Sequence, residues 1–161
     1  MNVPPPFDQP EVLGAFDPRY VAHRQLDAAE VTAYCEAPPL SGLVRAVEIG
    51  ANRGAFLSGI ARVHAPDGVL GFEWRRKYAR WAIERLADDG IGNAHVLACD
   101  AKLAIPALVP PESLDAVYVL FPDPWWKKGH RDRRVIDGHF LRVLARRMRP
   151  AFTSMPSLYR Q

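Results

Sequence analysis

The chain has 161 residues, 48% of them hydrophobic and 10% aromatic, which is typical of a globular domain with a single core. Its net charge of +3 is unevenly distributed, because residues 127–149 hold nine Lys or Arg and two acids, a local charge of +7, while the rest of the chain carries −4. This asymmetry favours a polyanionic partner at one face, although a solvated helix face explains a single charge run equally well. No apolar run approaches membrane-spanning length, and the two cysteines and five histidines lack paired metal-ligand spacing. We therefore expect a cytoplasmic protein without a metal or a membrane partner.

The first 40 residues differ in character from the rest. Residues 1–18 are rich in proline and acid and are predicted to be irregular, whereas residues 19–37 are predicted to form a helix that Pro38-Pro39 ends. We accordingly predict three parts: an N-terminal arm and helix over 1–40, a main domain over 41–150, and an irregular tail over 151–161.

Strand and helix signals alternate along the main domain. Apolar strand patterns cover residues 43–49, 69–72, 95–99 and 115–121, and helical patterns cover 54–65, 75–89, 101–108 and 135–147. The candidate inward residues of the helices are, in chain order, Phe56, Ile60, Val63, Tyr78, Trp81, Ala82, Leu86, Phe140, Leu141, Val143 and Leu144. Gly90 is predicted to end the second helix as a left-handed cap. The alternation predicts an α/β fold, a parallel sheet with helices on both faces.

A glycine turn is predicted between the first strand and its helix. Gly50 allows the tight turn, and Gly54 allows backbone and ligand to approach closely at the helix start. Asn52 lies between them, where a dinucleotide fingerprint has glycine, but asparagine tolerates left-handed geometry better than most residues. The motif alone is weak, and a simple strand-to-helix turn explains it as well.

Three acids are predicted at consecutive strand ends. Glu48, Glu73 and Asp100 close the first three strands, and ligands bind parallel sheets at the carboxyl ends of the strands. Glu73 would accept from both ribose hydroxyls, Asp100 would reach an adenine amine, and Glu48 would lie near an ammonium. S-adenosylmethionine has all three groups, whereas a dinucleotide would require phosphate donors. Each acid alone could be a solvated strand-end residue, but together they favour the cofactor.

The fourth strand leads into the most distinctive segment, residues 121–134. Pro122 and Pro124 stiffen the backbone around Asp123, and Trp125 and Trp126 precede a dense basic run. An acid on a stiff loop beside aromatic rings can grip the edge of a planar base, and the basic run can hold a phosphate backbone. The segment therefore suggests an enzyme that acts on a base within a nucleic acid.

These residues together resemble the bacterial tRNA (guanine-N(7)-)-methyltransferase family over roughly residues 45–148. The family's patterns stand in this chain as Val47-Glu48-Ile49-Gly50, Gly71-Phe72-Glu73, Asp100-Ala101 and Phe121–Trp125 followed by a Lys/Arg/His-rich run. The last pattern is highly specific, whereas many methyltransferases share the glycine turn. The resemblance implies a Rossmann-like, S-adenosylmethionine-dependent methyltransferase fold and a tRNA partner.

The resemblance also implies a role for each matching residue. The predicted contacts to S-adenosylmethionine are Glu48, Gly50, Gly54, Glu73, Asp100 and Asp123, and Asp123 is also the implied catalytic acid. The predicted contacts to substrate and RNA are Lys127, Lys128, His130, Arg131, Arg133 and Arg134. The implied reaction methylates N7 of the guanosine at position 46, in the tRNA variable loop. Trp125 or Trp126 would stack on an extruded base, although packing of the loop against the core is the more common role for such a residue.

The chain departs from the family pattern in three places. Asn52 replaces the middle glycine, Gly129 and Asp132 dilute the basic run, and no glycine-led strand or Thr-Asp motif follows Pro150. We therefore expect a family member whose last strands are missing. Two alternatives stay open beside the tRNA methyltransferase: a non-catalytic RNA-binding remnant, and another S-adenosylmethionine-dependent enzyme that methylates an amine.

Overall fold

The computed structural model of the chain describes Leu40 and residues 43–120 and 136–150. Strands and helices alternate in this part of the chain in the predicted order. Its strands are β1 (Val44–Ile49), β2 (Gly68–Phe72), β3 (Ala94–Leu97) and β4 (Ala116–Val119). Its helices are α1 (Ala55–His64), α2 (Arg76–Asp88), α3 (Ala101–Leu108) and α4 (Gly138–Arg147). The predicted helix at 19–37 and the irregular segments at 1–18 and 151–161 lie outside the described residues, so the domain boundaries stay predictions.

The described strands form one parallel sheet in the order β3-β2-β1-β4, which confirms the predicted architecture. Ile49 of β1 pairs with Phe72 of β2, and Phe72 pairs with Leu97 of β3, so three strands end at one level. On its other side Ile49 pairs with Val119 of β4. The strand order therefore reverses between β1 and β4. In open α/β sheets, ligands bind at the carboxyl edge beside such a reversal.

Successive side chains of each strand enter opposite cores, as the two-residue period of a strand requires. Ala46, Val69 and Val96 pack against α1 and α2 on one face. Val47 and Leu70 pack against α3 and α4 on the other face. The prediction of helices on both faces is thus confirmed, and β2 is buried along its whole length between the two layers.

The inward face of α1 differs from the predicted one. Ile60 is buried as expected, but Val63 is 80% exposed and Phe56 also lies at the surface. Leu57 is fully buried in their place. It fills the space above Gly71 of β2, where an added Cβ would come within 2.7 Å of Leu57 Cδ2. The helix therefore turns its apolar stripe toward the small residue of the central strand.

The inward faces of α2 and α4 follow the prediction only in part. In α2, Ala82 and Leu86 are buried, whereas Tyr78 and Trp81 are half-buried. In α4 the buried residues include Phe140 and Leu144 as predicted, but Leu141 is 51% exposed. The aromatic rings of α2 thus lie on the rim of their layer and remain accessible.

Gly90 ends α2 as predicted. Its φ is +66°, its N–H donates to the Ala87 carbonyl, and the Ile91 N–H donates to the Leu86 carbonyl. This pair of bonds is a Schellman motif, which satisfies carbonyls that the helix end would leave unpaired.

The described chain continues past α4 beside the segment that enters β4. Met148 forms an isolated parallel bridge with Leu114, and the Arg149 N–H donates to the Leu114 carbonyl at 2.8 Å. The Ser113 and Leu114 N–H groups donate to the Arg147 carbonyl. These bonds fix the end of α4 against the outer side of the described sheet.

Candidate functional site

The three predicted acids lie at the carboxyl edge of the sheet. Glu48 is the penultimate residue of β1, and Glu73 follows β2 and donates its N–H to the Leu97 carbonyl at the end of β3. Asp100 lies three residues beyond the end of β3 and caps α3. Their exposures are only 2%, 5% and 6%. Three buried carboxylates at one edge are an arrangement that a protein core avoids unless the groups are paired or serve a ligand.

The glycine turn follows β1 directly at the same edge. Gly50 has φ +83° and Asn52 has φ +50°, so both adopt left-handed geometry, which confirms that Asn52 sustains the turn. The Gly50 and Ala51 N–H groups both donate to the Phe72 carbonyl, at 2.8 and 3.1 Å. The turn is thereby held against the end of β2.

Gly54 is required by a contact between helices. Its φ is +75°, and an added Cβ would lie 2.9 Å from both Cα and Cβ of Ala82 in α2. The predicted close approach at the start of α1 is therefore an approach to Ala82. A ligand contact of Gly54 stays a prediction, as it does for Gly50.

Glu73 is the hydrogen-bonding centre of the edge. Its Oε2 accepts from the Asn52 N–H at 3.0 Å, and its Oε1 accepts from the Arg75 N–H at 2.9 Å. The carboxylate thus joins the glycine turn to the start of α2. Each oxygen keeps a second acceptor position, so a contact with ribose hydroxyls is compatible with this geometry and stays a prediction.

Glu48 is electrostatically the most unusual group in the described residues. Its burial, and secondly the nearby Glu73 carboxylate, raise the pKa of Glu48 from 4.5 to about 7. Its Oε2 is buried and accepts no hydrogen bond in the described structure. A buried acid with a raised pKa and an unused acceptor, at the ligand edge of a parallel sheet, indicates a functional site.

Asp100 has a structural role that the sequence did not reveal. Its Oδ1 accepts from the Lys102 N–H at 3.0 Å and so caps the start of α3. Lys102 is itself buried, and its ammonium forms an ion pair with Asp137, the cap of α4. This pair holds the start of α4 against α3. The predicted adenine contact of Asp100 is untested.

The remaining predicted site residues lie outside the described residues. They are Asp123, Trp125, Trp126, Lys127, Lys128, His130, Arg131, Arg133 and Arg134. Their roles stay predictions.

The described residues offer few other candidate sites. No group of three or more His, Cys, Asp or Glu in the described ranges could hold a metal ion. In the same ranges, no helix combines the length and apolar character needed to cross a bilayer. A pocket of about 300 Å³ lies beside α2, lined by Arg53, Trp81, Glu84, Arg85, Asp88 and Asp89, and is not formed by the strand-end acids.

Sequence reasoning also missed a basic and aromatic surface on α2. Residues 74–81 contain four Lys or Arg, three aromatic rings and no acid. The sequence signal is the density of cations and rings within these eight residues, but the sequence does not show that Arg53 joins them.

Comparison with known proteins places this geometry in a family. The family model described as "Putative methyltransferase" matches residues 43–152, which include the whole described sheet and the 121–135 segment. A tRNA (guanine-N(7)-)-methyltransferase of Myxococcus xanthus (strain DK1622) is 38% identical over 104 residues, 65% of this chain and 50% of the relative. The enzyme of the same name from Ralstonia nicotianae (strain ATCC BAA-1114 / GMI1000) is 36% identical over 110 residues, 68% of this chain and 44% of the relative.

A third relative extends the match toward the N-terminus. A tRNA (guanine-N(7)-)-methyltransferase of Acidovorax sp. (strain JS42) is 34% identical over 145 residues, 88% of this chain and 55% of the relative. The chain thus spans about half the length of these curated relatives.

Among solved structures, the fold is similar to a SAM dependent methyltransferase from Aquifex aeolicus. The TM-score is 0.50 at 18% identity, and the match covers 89% of this chain and 69% of that one. This likeness concerns the fold, and it agrees with the predicted Rossmann-like methyltransferase architecture. Since the family model matches more than half of the chain, the chain belongs to this methyltransferase family, whose relatives named above are tRNA (guanine-N(7)-)-methyltransferases.

Proposed function

We propose that the protein transfers a methyl group from S-adenosylmethionine to N7 of a guanosine in tRNA. The observation that carries the proposal is the set of three buried carboxylates, Glu48, Glu73 and Asp100, beside a left-handed turn at the ligand edge of a methyltransferase sheet. The names of the curated relatives supply the substrate. The cytoplasm, where tRNA is modified, is the corresponding location.

The chemistry of the acids matches the chemistry of the cofactor. Glu48 would accept from the ammonium, Glu73 from the ribose hydroxyls and Asp100 from the adenine amine, with the turn at Gly50 and Gly54 alongside. S-adenosylmethionine supplies an electrophilic methyl carbon on a sulfonium. A cationic ligand fits Glu48 in particular, because a nearby positive charge stabilises the ionised form of a buried carboxyl.

The acceptor needs positioning more than proton removal. Guanine N7 has a free lone pair, which forms the new N–C bond while the C–S bond breaks and its electrons return to sulfur. Asp123 would hold the guanine edge by accepting from its N–H donors, and its charge would offset the positive charge that develops on the base. Lys127 would contact the substrate, and Lys128, His130, Arg131, Arg133 and Arg134 would contact tRNA around position 46 of the variable loop.

Transfer of radiolabelled methyl to unmodified tRNA, with identification of the product nucleoside, tests the proposal. We expect N7-methylguanosine from the wild-type chain and a loss of at least about a hundredfold in rate for Asp123→Ala, since positioning and charge stabilisation are both removed. Glu84→Ala, which removes an exposed acid of α2, is the control and should leave the rate unchanged. Undiminished transfer by Asp123→Ala would contradict the role of Asp123.

The same assay separates the alternatives. Salt-dependent tRNA binding and S-adenosylmethionine binding without transfer would favour a non-catalytic RNA-binding protein. Methylation of free amines but not of RNA would favour another N-methyltransferase.

A further inference from the structure

A surface on α2 combines cations and aromatic rings in an uninterrupted array. We call it the α2 face and define it as Arg53, Trp74, Arg75, Lys77, Tyr78 and Trp81. All three of its basic residues and Trp74 are exposed, whereas Tyr78 and Trp81 are half-buried. The face lies outside the predicted RNA-contact segment at 127–134.

Each ring of the α2 face is in contact with at least one cation. The Arg75 guanidinium lies 5.4 Å from the Trp74 ring centroid and 5.3 Å from that of Tyr78. Tyr78 stacks on Trp81 with centroids 5.5 Å apart and ring planes 23° apart. Arg53 lies 4.9 Å from the Trp81 centroid, and Lys77 lies 4.7 Å from it. The array therefore presents positive charge and flat rings side by side.

The first turn of α2 carries more positive charge than the stability of the helix would favour. Arg76 and Arg80 add two exposed cations at the start of α2, and residues 74–81 contain no acid. Glu84, Asp88 and Asp89 lie beside Arg53 and Trp81, so the excess of positive charge is confined to the start of the helix. Lysine and arginine in the first turn of a helix oppose the helix dipole, which prefers acids there. A protein that needed only a stable α2 would not place Lys77 there, so the charge is better explained by an anionic partner.

The α2 face is joined directly to the candidate site. The Glu73 carboxylate accepts from the Asn52 N–H, next to Arg53, and from the Arg75 N–H. Glu73 thus holds in place both the turn that carries Arg53 and the residues that begin α2. A polymer bound along α2 would consequently reach the carboxyl edge of the sheet.

We propose that the α2 face is a second tRNA-binding surface, which holds backbone phosphates with Arg53, Arg75 and Lys77 and stacks bases or ribose on Trp74. Alternating cations and rings fit a nucleic acid, because phosphates pair with the cations while bases stack on the rings. An acidic protein would use the charges without the flat rings, whereas an anionic membrane would engage both and is distinguished by the vesicle-binding test below. The inference rests on the proposed tRNA substrate and extends it to a contact distant in sequence from residues 127–134.

Equilibrium binding of an unmodified tRNA transcript to the full chain, measured at several salt concentrations without S-adenosylmethionine, tests the proposal. For Arg75→Gln/Lys77→Gln we expect about tenfold weaker binding and a log–log salt slope lower by about 1.5, as two phosphate contacts are lost. The control is Arg62→Gln, which removes an exposed cation from α1, outside the α2 face. It should change the affinity by less than about twofold and leave the slope unchanged.

Two single substitutions separate a binding role from a structural one. Trp74→Ala should weaken binding about tenfold without altering the salt slope, because a ring stacks on a base and contacts no phosphate. Lys77→Glu should weaken binding while the melting temperature is unchanged or higher, because an acid in this turn favours the helix dipole. A parallel fall in binding and melting temperature would indicate a structural face and overturn the proposal.

The remaining outcomes are equally decisive. If Arg75→Gln/Lys77→Gln binds tRNA with wild-type affinity and slope, the α2 face is not an RNA surface, although the proposed methyl transfer would be unaffected. If the wild-type chain binds S-adenosylmethionine but no tRNA, the substrate assignment and the face both fail. If the Arg75→Gln/Lys77→Gln variant loses binding to anionic vesicles but not to tRNA, the partner is a membrane.

Discussion

At the scale of single residues, Glu48 has the largest described effect on how the protein responds to pH. In the folded chain its pKa is raised from 4.5 to about 7, first by burial and then by the Glu73 carboxylate. Below pH 4.5 the side chain is neutral in both the folded and the unfolded chain and contributes no pH dependence. As pH rises through 7, the folded chain must carry a buried negative charge that the unfolded chain carries in water.

We predict that this charge lowers the free energy of unfolding of the ligand-free protein by on the order of 3 kcal/mol between about pH 4.5 and pH 7.5. Glu48→Gln should remove this decrease, because glutamine has the same shape and does not ionise. Urea unfolding of both proteins at a series of pH values measures the difference. If the free energies of unfolding of the wild type and Glu48→Gln differ by the same amount at every pH, Glu48 does not titrate in this range.

Sequence reasoning located the strand-end acids but not their partners. The sequence could predict that these acids share an edge, because the carboxyl ends of parallel strands always lie at the same edge of a sheet. The acids are Glu48, Glu73 and Asp100. The bonds from Asn52 and Arg75 to Glu73 depend on the path of the turn and of the α2 entry, which no short-range pattern encodes. The same holds for the ion pair of Lys102 with Asp137, whose partners are 35 residues apart.

At the scale of elements, α1 and α2 are in very close contact where α1 begins. An added Cβ at Gly54 would lie 2.9 Å from Cα and Cβ of Ala82, and the φ of +75° is itself unfavourable for alanine and most other residues. To relieve the clash of such a Cβ with Ala82, α1 would have to move away from α2, or the glycine turn would have to change its path. Either movement would shift the glycine turn at the candidate site.

We predict that Gly54→Ala lowers the free energy of unfolding by about 2–4 kcal/mol, from overpacking and backbone strain together. Gly59→Ala is the matched control in the same helix. An added Cβ at Gly59 meets nothing within 4 Å, so alanine there should raise stability by about 0.5–1 kcal/mol. Denaturant unfolding of both variants checks the pair, and equal effects of the two substitutions would contradict the close contact.

Periodicity predicted every described helix but not always its buried stripe. For α1 the spacing of Phe56, Ile60 and Val63 indicated a helix correctly, and yet Leu57 is the residue that fills the core. One helix sequence can contain more than one apolar stripe. Which stripe is buried depends on the shape of the sheet surface that the helix packs against. At this position the shape is set by Gly71, which the helix sequence does not contain.

At the scale of the whole molecule, Asp137 at the contact between α3 and α4 and Glu48 in the sheet respond to pH in opposite directions. Asp137 joins α4 to α3 through Lys102, and although burial alone would raise the pKa of Asp137, its hydrogen bonds with Lys102 and the Phe140 N–H lower it below 3.8. Its contribution to stability is therefore present above pH 3.8 and is lost as the pH falls through the lowered value. Glu48 acts in the opposite direction, because its ionisation destabilises the folded chain as the pH rises toward 7.

We predict that Asp137→Asn reduces stability at pH 7 and that the difference from wild type vanishes as the pH falls well below 3.8. Asp115→Asn is the control, because it breaks the exposed ion pair with Arg149 and should have little effect at any pH. Thermal unfolding from pH 2.5 to pH 8 distinguishes the two. If the melting temperatures of the two variants depended on pH in the same way, the ion pair between Lys102 and Asp137 would not stabilise the contact between α3 and α4.

The architecture of the described part could be predicted because several signals agreed. Alternating strands and helices, continuous apolar strands and acids at strand ends all indicate a parallel sheet with a ligand edge. The α2 face was not predicted from the sequence, since a charge run with interleaved rings becomes a surface only when one helix and the Arg53 turn are brought together. That juxtaposition is made by Glu73, whose carboxylate accepts from the Asn52 N–H, 21 residues away, and from the Arg75 N–H, two residues away.

The positions of Trp74 and Trp81 also determine what the intrinsic fluorescence of the described part can report. Both indoles lie on the outer side of α2 and neither belongs to the two hydrophobic cores. Trp81 is in contact with two cations and a tyrosine ring, which are groups that respond to any molecule docking on this surface. Docking on this surface should therefore change the emission of these two indoles, to which Trp125 and Trp126 add their own, whereas loss of the sheet is followed better by backbone circular dichroism.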